Sequence, residues 1–190
     1  METKQIWEVF YQIPIQRIVV WRGERSTLAR NLEFFWLLLK GRIQVAKQLK
    51  KVKWAGSPMC KLCGEEEDVN HLMFKCAPAQ FMWCCFRDAL NWETIPRSSI
   101  ELINVRHKTE PALKMPLLYL FFCAGCWALW RVRNDWVFNN KLVADIMHLP
   151  YKAISFFLQW KNLVSMKMRG ELETLRTSLH ASTQEAGRIR

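Results

Sequence analysis

Cys60-Lys61-Leu62-Cys63-Gly64-Glu65-Glu66-Glu67-Asp68-Val69-Asn70-His71-Leu72-Met73-Phe74-Lys75-Cys76 is the stretch from which the rest of the chain can be read. Its Cys-x2-Cys, His and Cys make a compact set of soft and borderline ligands. Structural zinc sites want four such groups in a tetrahedron, and a Cys-x2-Cys turn puts two thiolates on one side of the ion. Cys60, Cys63, His71 and Cys76 are therefore expected to bind one structural Zn²⁺. Gly64 tolerates the turn that sends the chain back over the metal. A lone Cys is usually a small buried hydrophobe, but four ligand types this close together, among acids and turn formers, form a different pattern.

Around this quartet lie further motifs. Upstream stands Phe34-Phe35-Trp36-Leu37-Leu38-Leu39-Lys40-Gly41-Arg42-Ile43, with Leu49 beyond it. Within the quartet are Gly64, Glu66, Glu67 and His71-Leu72-Met73-Phe74, followed by Trp83. Further on comes Trp127-x2-Trp130-Arg131-x-Arg133-Asn134-x3-Phe138. Over roughly residues 30–138 this order resembles the zinc-binding domain that follows the polymerase in plant non-LTR (LINE-type) retroelement reverse transcriptases. The resemblance implies a non-catalytic module that assists binding of RNA or DNA, beside a polymerase or RNase H-like domain absent from this chain. Two features depart from the family pattern. Gln44 stands where the family usually has Thr, a natural helix N-cap, and residues 1–25 show none of its motifs.

The chain has 190 residues, about half of them hydrophobic, which is enough for one domain with a real core or a domain with helical extensions. Ten Trp and eleven Phe supply core, or apolar faces meant for a partner. Seven Cys raise the question of compartment. The N-terminus shows no basic stretch followed by an apolar run and a cleavage site, so the expectation is an intracellular, reduced protein, nuclear or cytoplasmic. There, clustered Cys and His favour metal over disulfides. Cys84, Cys85 and the second Cys-x2-Cys, Cys123 and Cys126, read as helix packing.

The net charge of +11 is uneven. Residues 1–56 hold eleven Lys and Arg against four acids, whereas residues 57–76 hold two against four. The basic segment would supply phosphate contacts through Lys40, Arg42, Lys47, Lys50, Lys51 and Lys53, because each neutralised phosphate releases counterions. Trp54 would stack on an unpaired base. A merely solvated helix face is the other reading of the same lysines.

The pattern is mostly α. The expected fold is a small helical domain built around the Cys-Cys-His-Cys knuckle, with a C-terminal helical extension. It divides into a weakly defined N-terminal extension over 1–28, the zinc-binding domain over 29–90, the extension over 91–168 and a partly disordered tail over 169–190. Residues 1–25 read as partly extended around Ile13-Pro14-Ile15 and Val19-Val20-Trp21. Helices are predicted over Ala29–Lys40, stopped by Gly41, over an Ile43, Ala46, Leu49 and Val52 stripe, and from Pro78 to Leu90. In that last helix Trp83 is expected to pack on the zinc module. Ser98 or Ser99 caps a short helix.

Leu117–Trp130 is almost wholly apolar, but at ~1.5 Å per residue it rises only about 21 Å, short of a ~30 Å bilayer core. It reads as a buried helix ending at Arg131, Arg133, Asn134 and Asp135, with no membrane partner. Residues 141–168 read as one or two amphipathic helices around His148 and Pro150, with Ile154, Phe156, Phe157, Trp160 and Leu163 forming a broad apolar face that is expected to be exposed in part. The chain is expected to fray after His180.

Polymerase acids, a nucleophile elbow, a phosphate-binding Gly loop and a His-Glu-x-x-His are all missing. Isolated His107, His148 and His180 read as surface or boundary residues, and four protein ligands would leave zinc no open position for water. The expectation is a non-enzyme. A protein-interaction module, or a domesticated or truncated remnant of such an element, is the alternative.

Overall fold

The computed structural model describes residues 27–104, 115–141, 145–161 and 166–188. The extended segments expected before residue 25, His107 and Leu163 lie outside the described residues. Seven α-helices are seen among the described residues: α1 Thr27–Leu39, α2 Ala46–Lys51, α3 Ala77–Leu90, α4 Ser99–Asn104, α5 Met115–Asn139, α6 His148–Gln159 and α7 Arg169–Arg188. A wide helical turn over His71–Lys75 precedes α3, and a 3-10 turn over Met166–Met168 precedes α7.

Local chemistry explains the helix ends. Past α1, Gly41 takes φ +64°, and the amides of Gly41 and Arg42 donate to the carbonyls of Leu38 and Leu37. This closure satisfies the last carbonyls of the helix. Cys76 is extended and acts as the N-cap of α3, with Pro78 in the first turn, where a missing N–H costs nothing. The α4 start is a reciprocal pair: Glu101 donates its amide to Ser98 Oγ, and the Glu101 carboxylate accepts from the Arg97 amide.

A line of rings runs through the middle of the molecule. Phe74 stacks on Trp83, which meets Phe86 edge-on at 5.2 Å. Phe86 lies 4.3 Å from Phe121, and Phe121 meets Phe157 at 5.2 Å. These contacts join the turn beside the zinc ligands to α3, α5 and α6. Helix α5 packs on α1 and α6, and α7 packs on α3 and α6. One hydrophobic cluster thereby includes residues from all five.

Four expectations change here. The predicted stripe of α2 breaks at Val52, which is exposed, while Val45 and Ala46 are buried, so the helix begins three residues after Ile43. Helix α5 does not end at Arg131–Asp135 but continues to Asn139, where Asn140 turns the chain at φ +51°. Most of the face of α6 is covered: Ile154, Phe157 and Trp160 are buried, and Phe156 is left half-buried. The tail is not frayed after His180, because α7 continues to Arg188 with Leu172, Leu175, Leu179 and Thr183 buried and Ser182 Oγ donating to the Cys85 carbonyl at 2.8 Å. Those residues recur every three or four positions, which makes one face of a helix.

Cys85, Cys123 and Cys126 are buried packing residues. Burial pushes Cys85 up to about 11, and Cys123 and Cys126 upward too, so these thiols stay protonated and inert. Among the described residues no helix is long and apolar enough to cross a membrane.

Candidate metal centre

Residues 58–67 form a miniature hairpin. Met59 and Glu66 pair as an antiparallel bridge, and the Glu67 amide donates to the Pro58 carbonyl. Inside it the Cys60 amide donates to the Glu65 carbonyl, and the Gly64 amide to the Cys60 carbonyl. The return needs Gly64 at φ +85°, a region where a Cβ is strained, even though open space surrounds it.

After the hairpin, Asp68 Oδ1 accepts from the His71 amide at 2.7 Å and fixes the start of the His71–Lys75 turn. That turn closes with the Cys76 amide donating to the His71 carbonyl. From the far side Trp83 Nε1 donates to the Met73 carbonyl at 2.6 Å. Trp83 is fully buried, so the predicted packing of this ring on the zinc module holds.

These elements bring Cys60, Cys63, His71 and Cys76 together, with ligand atoms all within 4.8 Å of one another. The sulfurs of Cys60 and Cys76 are 3.8 Å apart, and Cys63 Sγ is 3.1 Å from His71 Nε2. Ligands about 2.0–2.3 Å from a tetrahedral zinc stand about 3.3–3.8 Å from one another. The donor set and its spacing thus fit zinc with little movement. Glu65 Oε2 lies 3.4 Å from His71 Nδ1, the ring nitrogen turned away from the cluster, and is placed to orient the imidazole.

Within the cluster the Cys76 thiol donates to Cys60 and holds it down to about 5, against the cost of burial. Cys76, as the partner that keeps the proton, is pushed up, and desolvation raises Cys63. One thiolate is thus already stabilised at neutral pH, and metal binding would displace the remaining thiol protons.

Against known families, residues 2–83 match the model described as zinc-binding in reverse transcriptase. This segment is a reverse-transcriptase-type zinc-binding domain. No curated protein and no solved structure matches the chain. The match takes in residues 2–25, where no motif of the family is evident, and it stops at Trp83, inside α3. The core to which the zinc-binding domain contributes continues past that point into α5, α6 and α7.

One pair that motif spacing could not reveal anchors the zinc-binding domain to α5. Glu67 and Arg133 are each 1% exposed. Arg133 Nη2 donates to Glu67 Oε1 at 2.6 Å and Nε to both carboxylate oxygens at 3.1 Å. Arg133 Nη1 donates to Asn134 Oδ1, and the guanidinium lies 5.5 Å from the Trp130 ring and 5.4 Å from that of Phe138.

Glu67 Oε1 also accepts from the Ala46 amide at 2.7 Å, the first N–H of α2. Gln44 and Val45 make no side-chain cap, so a carboxylate 21 positions away does that work. Glu67 and Arg133 both stand in the family-like motifs, but nothing in either motif says that they meet.

The residues proposed from sequence to grip nucleic acid are distributed along this edge. Arg42, Lys47, Lys50, Lys51 and Lys53 are exposed. Lys47 is 3.6 Å from Glu66, and Lys40 lies over the Trp36 ring at 4.8 Å. Trp54 is half-buried, with its ring edge 6.1 Å from Phe138.

Proposed function

We propose that this chain is a non-catalytic accessory module in which one structural zinc holds a basic helix in place for binding RNA or DNA, as its likeness to LINE-type retroelement proteins implies. The observation that carries the reading is the connection from metal to helix. Glu67, in the loop between ligands Cys63 and His71, accepts the first amide of α2, the helix that carries Lys47, Lys50 and Lys51. The zinc would supply folding energy there rather than chemistry, because all four positions are protein ligands. In the full assembly a polymerase or RNase H-like domain would share the same strand of nucleic acid.

The test is the salt dependence of binding to a labelled single-stranded RNA and to duplex DNA, with the combined variant Lys47→Glu, Lys50→Glu and Lys51→Glu. Affinity should fall steeply with salt in the parent. If each lysine neutralises one phosphate, the logarithmic slope on the single strand should drop by about 2 in the variant. An unchanged affinity and slope would remove α2 as the grip. A hydrophobic protein interface, the alternative from another class, would instead change little with salt.

A further inference from the structure

Beside the zinc loop, a cavity of about 200 Å³ opens between the start of α2, the metal hairpin and the C-terminal part of α5. Its lining divides by chemistry. Trp54, Met59 and Val137 supply aromatic and apolar wall. Arg133 and Glu67 supply its buried side, and their charges cancel across 2.6 Å, so that side is polar but neutral. An uncompensated cation, exposed Lys61, also lines the cavity, and a second exposed lysine, Lys53, directly precedes Trp54 in the chain.

The wall is held in place from behind. A Cβ on Gly56 would fall 2.0 Å from Cζ2 of the Trp54 indole, so only glycine lets the backbone run against that ring. Phe138 meets its edge. Met59 and Phe138, two of the large hydrophobics left exposed among the described residues, both belong to this corner. Apolar groups gathered around a cavity mark a binding surface more strongly than scattered ones.

A neutral polar floor, an aromatic wall and cations at the mouth suit a neutral heteroaromatic ring that carries a phosphate outside the cavity. A free anion would meet no net positive charge at the buried side. A purely apolar side chain would make no use of the exposed Lys61 at the rim. We propose that this cavity takes one unstacked base of single-stranded nucleic acid, with its ring against Trp54 and Met59 and its phosphate toward Lys61 and Lys53. The proposal rests on the nucleic-acid reading above and adds a site distinct from the lysines of α2.

The experiment is fluorescence anisotropy with a labelled single-stranded RNA and with a strand of equal length whose positions are abasic, on zinc-loaded full-length chain. Trp54→Ala should weaken binding to the base-containing strand about tenfold, the size of one lost base stack, while the salt slope stays unchanged. Trp54→Phe should keep most of the affinity, and Trp54→Ala should make no difference on the abasic strand. Gly56→Ala, which displaces the indole without removing it, should behave like Trp54→Ala. Zinc content and a cooperative thermal transition establish that each variant is folded.

Equal loss on both strands would mean that Trp54 does not meet a base, and the proposal falls. It falls also if Trp54→Ala binds like the parent while the triple lysine variant loses affinity, a result that leaves the nucleic-acid reading standing. No salt-dependent binding by the parent removes both. Binding of a phenylalanine-rich peptide that Trp54→Ala abolishes, with strand binding unaffected by the same variant, would assign the cavity to a protein ligand and overturn the proposal.

Discussion

Arg133→Met removes the guanidinium while keeping an unbranched side chain of similar reach. Glu67 is 1% exposed with the pair intact, and without the guanidinium the carboxylate keeps only the Ala46 amide as a protein partner among the contacts described above. Breaking a buried ion pair by removing one member costs about 3–5 kcal/mol. For a chain of this size each kcal/mol lowers the melting temperature by about 2–4 °C, so Tm should fall by about 6–20 °C. The double variant Glu67→Met with Arg133→Met leaves no unpaired charge. It should cost only about 1 kcal/mol, mostly the lost cap on α2, and be more stable than either single variant. Calorimetry of the zinc-loaded proteins measures both. Chelator competition should also show weaker zinc binding in Arg133→Met, because Glu67 sits in the loop that carries the ligands. An Arg133→Met protein within about 1 kcal/mol of the parent, or a double variant as unstable as the two singles summed, would refute the view that this pair fastens the zinc loop to α5.

Elemental analysis of the parent purified without added metal should find one zinc per chain, and His71→Ala and Cys76→Ser should lose it together with the cooperative thermal transition. Trp83→Phe leaves the Met73 carbonyl without its buried donor and should cost about 1–3 kcal/mol in urea unfolding, whereas Trp83→Ala adds a cavity and should cost about 3–5 kcal/mol. Deleting residues 169–190 should destabilise the whole fold rather than trim a loose end, because Leu172, Leu175 and Leu179 are buried against it. A truncated chain with an unchanged Tm would refute that packing.

The quartet was legible because ligand chemistry and spacing are local: two cysteines on one turn, and a histidine and cysteine on the next, meet whatever the rest of the chain does. The stop at Gly41, the Pro78 start and the serine cap before α4 were legible for the same reason. The cap on α2 was not. The sequence offers no side-chain cap at Gln44 or Val45, and the acceptor that serves instead comes from the zinc loop. Nor was the fate of Arg133, since an arginine following an apolar run reads equally as a solvated helix end or as half of a buried pair. Composition misread residues 181–188 in a similar way: small polar residues lower helix propensity, and the buried face of α7 overrides it.

By itself, then, the sequence determined which four Cys and His side chains cluster as candidate metal ligands, the places where the backbone must turn, the helical class and the basic character of the segment before the knuckle. Each of these depends on residues within a few positions of one another. Only the tertiary structure decided that Glu67 and Arg133, 66 residues apart, share one buried ion pair, that Trp83 ties α3 to the ligand turn, and that a cavity opens beside Trp54. The physical reason is burial. Whether a charge is solvated or paired, and whether an aromatic ring is core or binding surface, depends on which distant segment covers it, and that is settled only when the helices pack.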